Sequence, residues 1–133
     1  MSDKPCENRG VKEVFFSEDA PKPGGAYSHA VRGGHTVYLA GQGPFHPETG
    51  EQPDGFDEQA RQTFRNLEAA ARAAGATLAD AVRIGVYLRD IGDLPVMNGI
   101  YQEFVPPPFP ARTTIQSELP FSIEVDAVLY VGG

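Results

Sequence analysis

The sequence predicts an α+β sandwich: a mixed β-sheet carrying two helices packed on one face. Three observations predict it. The hydrophobic periods run in the order β-β-β-α-β-α-β-β. One long segment keeps helical spacing throughout. The last strand, "SIEVDAVLYV", separates an apolar face from a mixed one.

Taken in order, residues 12–16 ("KEVFF") and 28–32 ("SHAVR") are strand candidates, and Gly33-Gly34 supplies a two-residue hairpin turn into "HTVYLAG". The opening is a meander. Residues 43–55 are rich in turn-forming types and read as a loop. From Phe56 to Ala74 the apolar positions Phe56, Ala60, Phe64, Leu67, Ala71 and Ala74 fall three or four apart, one face of a helix that Gly75 closes. In "VRIGVYLR", residues 82–89, Val82, Ile84, Val86 and Leu88 alternate with Arg83, Gly85, Tyr87 and Arg89, the pattern of a half-buried strand.

Asp93 is placed to cap a second helix that tolerates Pro95 in its first turn and runs to about Phe104. Four of the five residues Pro106–Pro110 are proline, which fixes φ, removes amide donors and ends that helix. Arg112 then opens a strand whose alternation groups it with Thr114 and Gln116. The short connection "ELPF" predicts that this strand pairs with the last one as a hairpin. Arg112 would then share a face with Glu124 and Asp126. On the last strand Ile123, Val125, Ala127, Leu129 and Val131 form the face for the helices. The opposite face, with Glu124, Asp126, Val128 and Tyr130, is too apolar for open water and too charged for a helix-packed core. Another subunit is its natural cover.

Composition limits the classes of function. A chain of 133 residues fits one domain over residues 1–133, the first 11 or so expected to be flexible. With a net charge of −7 and 41% hydrophobic residues, nucleic acid is not an expected partner. No run approaches the ~20 apolar residues of a membrane span and the N-terminus lacks a signal sequence, so no membrane association and a cytoplasmic location are expected. Cys6 is the sole cysteine, and His29, His35 and His46 lack zinc-type spacing, so no metal is expected.

Two stretches stand out chemically. An arginine placed stiffly at a strand start suits a carboxylate, although a cross-strand ion pair is the simpler structural reading. In "PKPGGAYSHA" a glycine-rich turn delivers Tyr27, whose phenol is a hydrogen-bond donor or a packing group. Ser28 and His29 imitate a nucleophile and base but, as strand neighbours, point apart. Gly24-Gly25 and "AGQGP" lack the features of a phosphate loop and read as turns.

Taken together, "GGAYSHA", "YLAGQGP", "QARQTFRNLEAAARAAGA", "NGIYQEF", "FPARTT" and "IEVDA", in this order over about residues 17–131, resemble the Rid family, also called YjgF, of reactive-intermediate deaminases. The resemblance implies a chorismate-mutase-like fold assembled as a homotrimer, its three sheets forming an inner barrel with clefts between subunits. It implies hydrolysis of 2-aminoacrylate and related enamine or imine acids to 2-keto acids and ammonia, with no cofactor. Arg112 would grip the substrate carboxylate. Tyr27 would donate a hydrogen bond, and Glu124 would orient water and pass protons to the leaving nitrogen. The backbone at Ala40 and Gly41 would line the pocket, and the carbonyl of Thr114 would help hold the water.

The sequence departs from the family pattern in three places. Ala26 and His29 stand in "GGAYSHA" where "GPYSQA" is common, and Ala40 replaces a serine. The connection after "LP" is also about two residues shorter, which leaves Asp126 as an alternative acid. These departures keep two further readings open: a deaminase for a larger enamine, such as 2-aminomuconate, and a non-catalytic trimeric module binding 2-keto acids.

Overall fold

The computed structural model describes residues 11–132. Cys6 and nearly all of the expected flexible N-terminal stretch lie outside them. The elements are β1 (Glu13–Phe15), β2 (Ala30–Gly33), β3 (Thr36–Gln42), α1 (Phe56–Ala73), β4 (Ala81–Leu88), α2 (Leu94–Phe104), β5 (Ala111–Gln116) and β6 (Ile123–Tyr130). They build one six-stranded mixed sheet in the order β1-β2-β3-β6-β4-β5.

Both helices cover one face. Their apolar stripes meet Val37, Leu39, Ile84, Val86, Leu88, Ile123, Val125, Ala127 and Leu129 in a single core, with Phe64 and Leu67 of α1 and Met97 of α2 fully buried. Gly75, at φ 77°, closes α1 in the left-handed turn glycine adopts freely. The Ala76 amide reaches Ala71 O at 3.0 Å and the Gly75 amide reaches Arg72 O at 2.9 Å, a Schellman pair that satisfies carbonyls the helix end would orphan.

The strand pairing differs from the sequence expectation where it matters most. β5 and β6 are not a hairpin: β4 lies between them, parallel to β5 and antiparallel to β6. The "ELPF" connection crosses the end of β4, fixed there by Ser117 N to Leu88 O at 2.9 Å and Arg89 N to Ser122 O at 3.0 Å. α2 provides the crossover that parallel β4 and β5 require. Because β4 already has β5 on one edge, β6 takes the other and is buried between β4 and β3.

Three local expectations also shift. The first hairpin turns at Gly34-His35, one residue later than expected, because Gly33 pairs with Thr36 and Gly34 takes φ 62°. Val82 is half exposed rather than on the core face, because the β4–β6 register slips between Ala81 and Arg83 and leaves it in a bulge. Asp93 occupies the N-cap position of α2 without a side-chain bond. Asp90 caps the preceding short 3-10 turn instead, accepting from Gly92 N at 2.8 Å.

Candidate functional site

The helix-free face of the sheet holds Glu124 and Asp126 on β6, and the register sets Tyr87 beside Glu124 and Gly85 beside Asp126. The two acids have different surroundings. Asp126 is engaged by its neighbours on β4: Tyr87 OH donates to its Oδ2 at 3.1 Å, and an Arg83 nitrogen lies 4.0 Å from its Oδ1. Glu124 instead points toward β3. There the pairing skips between Leu39 and Gln42, so that Ala40 and Gly41 together stand opposite Asp126. This β-bulge turns Gly41 onto the Glu124 side chain, and a Cβ at Gly41 would lie 2.9 Å from the carboxyl carbon of Glu124. Glycine is therefore required there by space, which supplies a reason for the bulge beside a candidate site.

Burial raises the Glu124 carboxyl above the usual glutamate range, and the nearby Asp126 charge adds to the shift. A carboxyl whose proton affinity is raised by burial and that faces a cavity has the chemistry of a group that accepts and then donates a proton. The cavity, of about 660 Å³, is lined by Glu124, Gly41 and Tyr27 together with Phe45, Phe121 and Lys22. Tyr27 arrives on the glycine turn, its hydroxyl accepting from Gly24 N at 3.1 Å, which leaves the phenolic proton free to donate.

His29 takes no part as a base. It is 2% exposed, its Nδ1 accepts from Ser17 N at 2.8 Å, and its Nε2 therefore donates to Pro21 O at 2.7 Å. The ring is not on the pocket rim. It ties residues 17–21 to the start of β2 and so positions the segment that leads to Tyr27.

Arg112 lies elsewhere. Its register partner on β4 is Ile84, whose partner on β6 is Ala127, and both belong to the core face. Arg112 thus emerges on the helix side of the sheet edge, whereas Glu124 is on the opposite face with β4 between their strands. The expected common face does not exist within one chain, because the inserted strand changes both neighbour and parity. The guanidinium carbon sits 4.7 Å from the ring centre of buried Tyr101 on α2, a cation–π contact. Burial raises the Tyr101 phenol above its ordinary range, the Arg112 charge partly offsetting it. A second, smaller cavity of about 320 Å³ opens here between Arg112, Tyr101, Asn98 and Phe109.

One chain therefore assembles Tyr27, Gly41 and Glu124, with Asp126 alongside but committed to Tyr87. Arg112 and Thr114 are on the far side of the edge strand, Thr114 pairing with core-facing Val86. Ala40 lines a separate hollow with Tyr38 and Val14. Sequence reasoning missed Phe45, Phe121 and the buried polar residue Asn66, which donates to Gly43 O at 2.9 Å and Phe45 O at 2.8 Å. A signal for Asn66 existed: Gln59, Thr63 and Asn66 recur at helical spacing beside the apolar stripe of α1.

Comparison with known proteins identifies the family and the fold. A family model described as Endoribonuclease L-PSP matches residues 17–131. A RutC family protein of Pyrococcus horikoshii is 42% identical over 90% of this chain and 98% of its own length. A 2-iminobutanoate/2-iminopropanoate deaminase of the mite Dermatophagoides farinae is 36% identical over 90% of this chain and 97% of its own. Among solved structures, RidA of an Antarctic Psychrobacter superposes with a TM-score of 0.85 at 39% identity, covering 90% of this chain and 99% of that one. The matched segment spans every strand but β1 and both helices. The chain belongs to the Endoribonuclease L-PSP family, the family of the Rid, or YjgF, proteins it resembles in sequence.

Proposed function

We propose that the protein is a cofactor-independent deaminase of 2-imino and 2-enamino acids, active as a homotrimer whose sites lie between subunits. The observation that carries this reading is the half-site around Glu124: a carboxyl against a glycine that makes room for it, in a cavity shared with a phenol, with its proton affinity raised by burial. The name borne by the mite relative supports the substrate class.

In this reading an iminium acid enters the cavity and water adds to its C2 carbon. The Glu124 carboxylate, its proton affinity raised by burial, takes a proton from that water and gives it to the nitrogen, which leaves as ammonia and takes up the C2 hydroxyl proton as C2 becomes the ketone of a 2-keto acid. Iminium and water are consumed, keto acid and ammonium are formed, and no electrons change hands. Tyr27 donates to a substrate oxygen. The carboxylate clamp is Arg112 of an adjoining copy, because the same chain holds its own Arg112 on the other face. A planar guanidinium backed by Tyr101 is oriented for two-point contact.

The helix-free face supports assembly. Tyr38, Ile115 and Tyr130 are each about half exposed there, and such a face is more apolar than a free surface requires. A net charge of −7 weighs against RNA as the substrate, despite the description the family model carries.

The test is 2-keto acid release from imines generated in situ by an amino acid oxidase from alanine and 2-aminobutyrate. Acceleration is expected from wild type and loss of it from Arg112→Ala. Absence of any acceleration from a folded trimer, with 2-keto acids still bound, would replace this reading with the non-catalytic binding module.

A further inference from the structure

Besides its acid and phenol, the larger cavity has an aromatic wall. Phe45 and Phe121 meet edge to face, with ring centres 5.1 Å apart and planes at 81°. They close over bare backbone: a Cβ at Gly43 would come within 3.0 Å of one ring and 3.1 Å of the other. Each side of the pair is tied to α1. Asn66 is fully buried, spends both amide protons on the carbonyls of Gly43 and Phe45, and accepts from Gln62 Nε2 at 3.0 Å. The Ser122 hydroxyl, next to Phe121, donates to Gln59 Oε1 at 2.6 Å, and Gln59 Nε2 donates to Pro53 O at 2.9 Å. The wall is thus preformed on a helix rather than carried by a free loop, and both rings remain only partly buried.

Resting on the deaminase reading, we infer that this wall receives the substrate side chain. The preferred substrates are then imino or enamino acids with a bulky apolar side chain, branched aliphatic, thioether or aromatic, rather than the three- and four-carbon imines for which the mite relative is named. Two considerations carry this. Half-covered rings gain most when a large apolar group removes them from water. An edge-to-face pair held from behind offers a third apolar group a fixed surface at little ordering cost. A substrate with a second, distal carboxylate would set that charge against the rings, in a cavity where Glu48 offsets Lys22.

The experiment compares kcat/KM for imines generated from alanine, 2-aminobutyrate, leucine, methionine and phenylalanine. In parallel, inhibition constants are measured for pyruvate, 4-methyl-2-oxopentanoate, phenylpyruvate and 2-oxoglutarate. Wild type is expected to favour the leucine, methionine or phenylalanine imine over that of alanine by about tenfold or more, and Phe121→Ala to reduce that ratio by about tenfold. Phe121→Leu should restore much of it for aliphatic substrates. Gly43→Ala, which displaces the rings without removing either, should lower the ratio in the same direction and guards against a folding defect in the first variant.

Equal or better turnover of the alanine imine would overturn the inference, as would an equal loss on every substrate in Phe121→Ala, or tightest inhibition by pyruvate or 2-oxoglutarate. If no imine is turned over at all, the deaminase reading fails. The keto acid series then still decides the wall's role, since binding requires no chemistry.

Discussion

At the centre of the sheet, three sequence-distant groups meet: Tyr27 from a glycine turn, Gly41 from a bulge in β3, and Glu124 from β6. At the β5 edge, Arg112 leans on Tyr101, and no described carboxylate lies within ion-pair distance of it. The centre is over-determined, since Glu124 has a strand on each side and a glycine cut to its shape. The edge is open, with one strand beside it and one ring beneath. A central strand can place a group precisely but only toward its own cavity, whereas an edge strand can offer a group to another molecule. In the proposed reaction, proton transfer would draw on the first and capture of a carboxylate by an adjoining copy on the second.

The largest effects should come from breaking the two regions separately and then mixing them. Arg112→Ala and Glu124→Gln are each expected to lower kcat/KM by about 10²–10³-fold, the scale of removing one partner from a close charged contact. Mixed trimers of the two variants should recover activity, since each hybrid regains one complete site. Equal random mixing would give about a quarter of wild-type turnover, whereas sites confined to one chain would give none. Enzyme assay after co-refolding, with light scattering to verify the trimer, reads this directly.

Gly41→Ala sharpens the account of the centre. The added methyl collides with the Glu124 carboxyl, so activity should fall about 10²-fold, as for misplaced catalytic groups, while Arg112-dependent binding of a 2-keto acid persists. Calorimetry with pyruvate and steady-state kinetics separate the two.

Asn66→Ala tests the platform beneath the aromatic wall. The carbonyls of Gly43 and Phe45 lose their donor, the buried Asn66 amide, which should cost about 2 kcal/mol and lower Tm by several degrees. An unchanged denaturant midpoint would show that the carbonyls find other partners.

The smallest effect concerns pH. Because folding raises the Glu124 carboxyl, the native state holds that proton to a higher pH than the unfolded chain does. The Glu124 contribution to wild-type stability therefore declines as pH rises from the ordinary value of about 4.5 through the raised one, and levels off above it. Glu124→Gln has no such decline, so the stability of the variant relative to wild type should grow across that window. A gap independent of pH would mean that the carboxyl is not perturbed.

Much of the fold was legible because periodicity is a local property. The helix of 56–74 and the strand of 122–131 follow from residue spacing alone, and glycine at Gly75 marks a helix end for reasons internal to the backbone. The resemblance in motifs pointed to Tyr27, Gly41, Arg112 and Glu124. Why Gly41 must be glycine was not legible, since it depends on a carboxylate 83 positions later in the chain.

The boundary between the two kinds of knowledge runs through β5. Alternation determined which residues of each strand share a side, and composition determined that an acidic, core-forming domain results. Which strand lies beside which was decided only in three dimensions, where β4, joined to β5 by the crossover of α2, keeps it away from β6. Hydrogen-bonded edges accept any strand of suitable length and direction, so burial of the whole sheet against the helices makes the choice. That choice sent Arg112 and Glu124 to opposite faces, so the proposed site would need a second copy to bring them together.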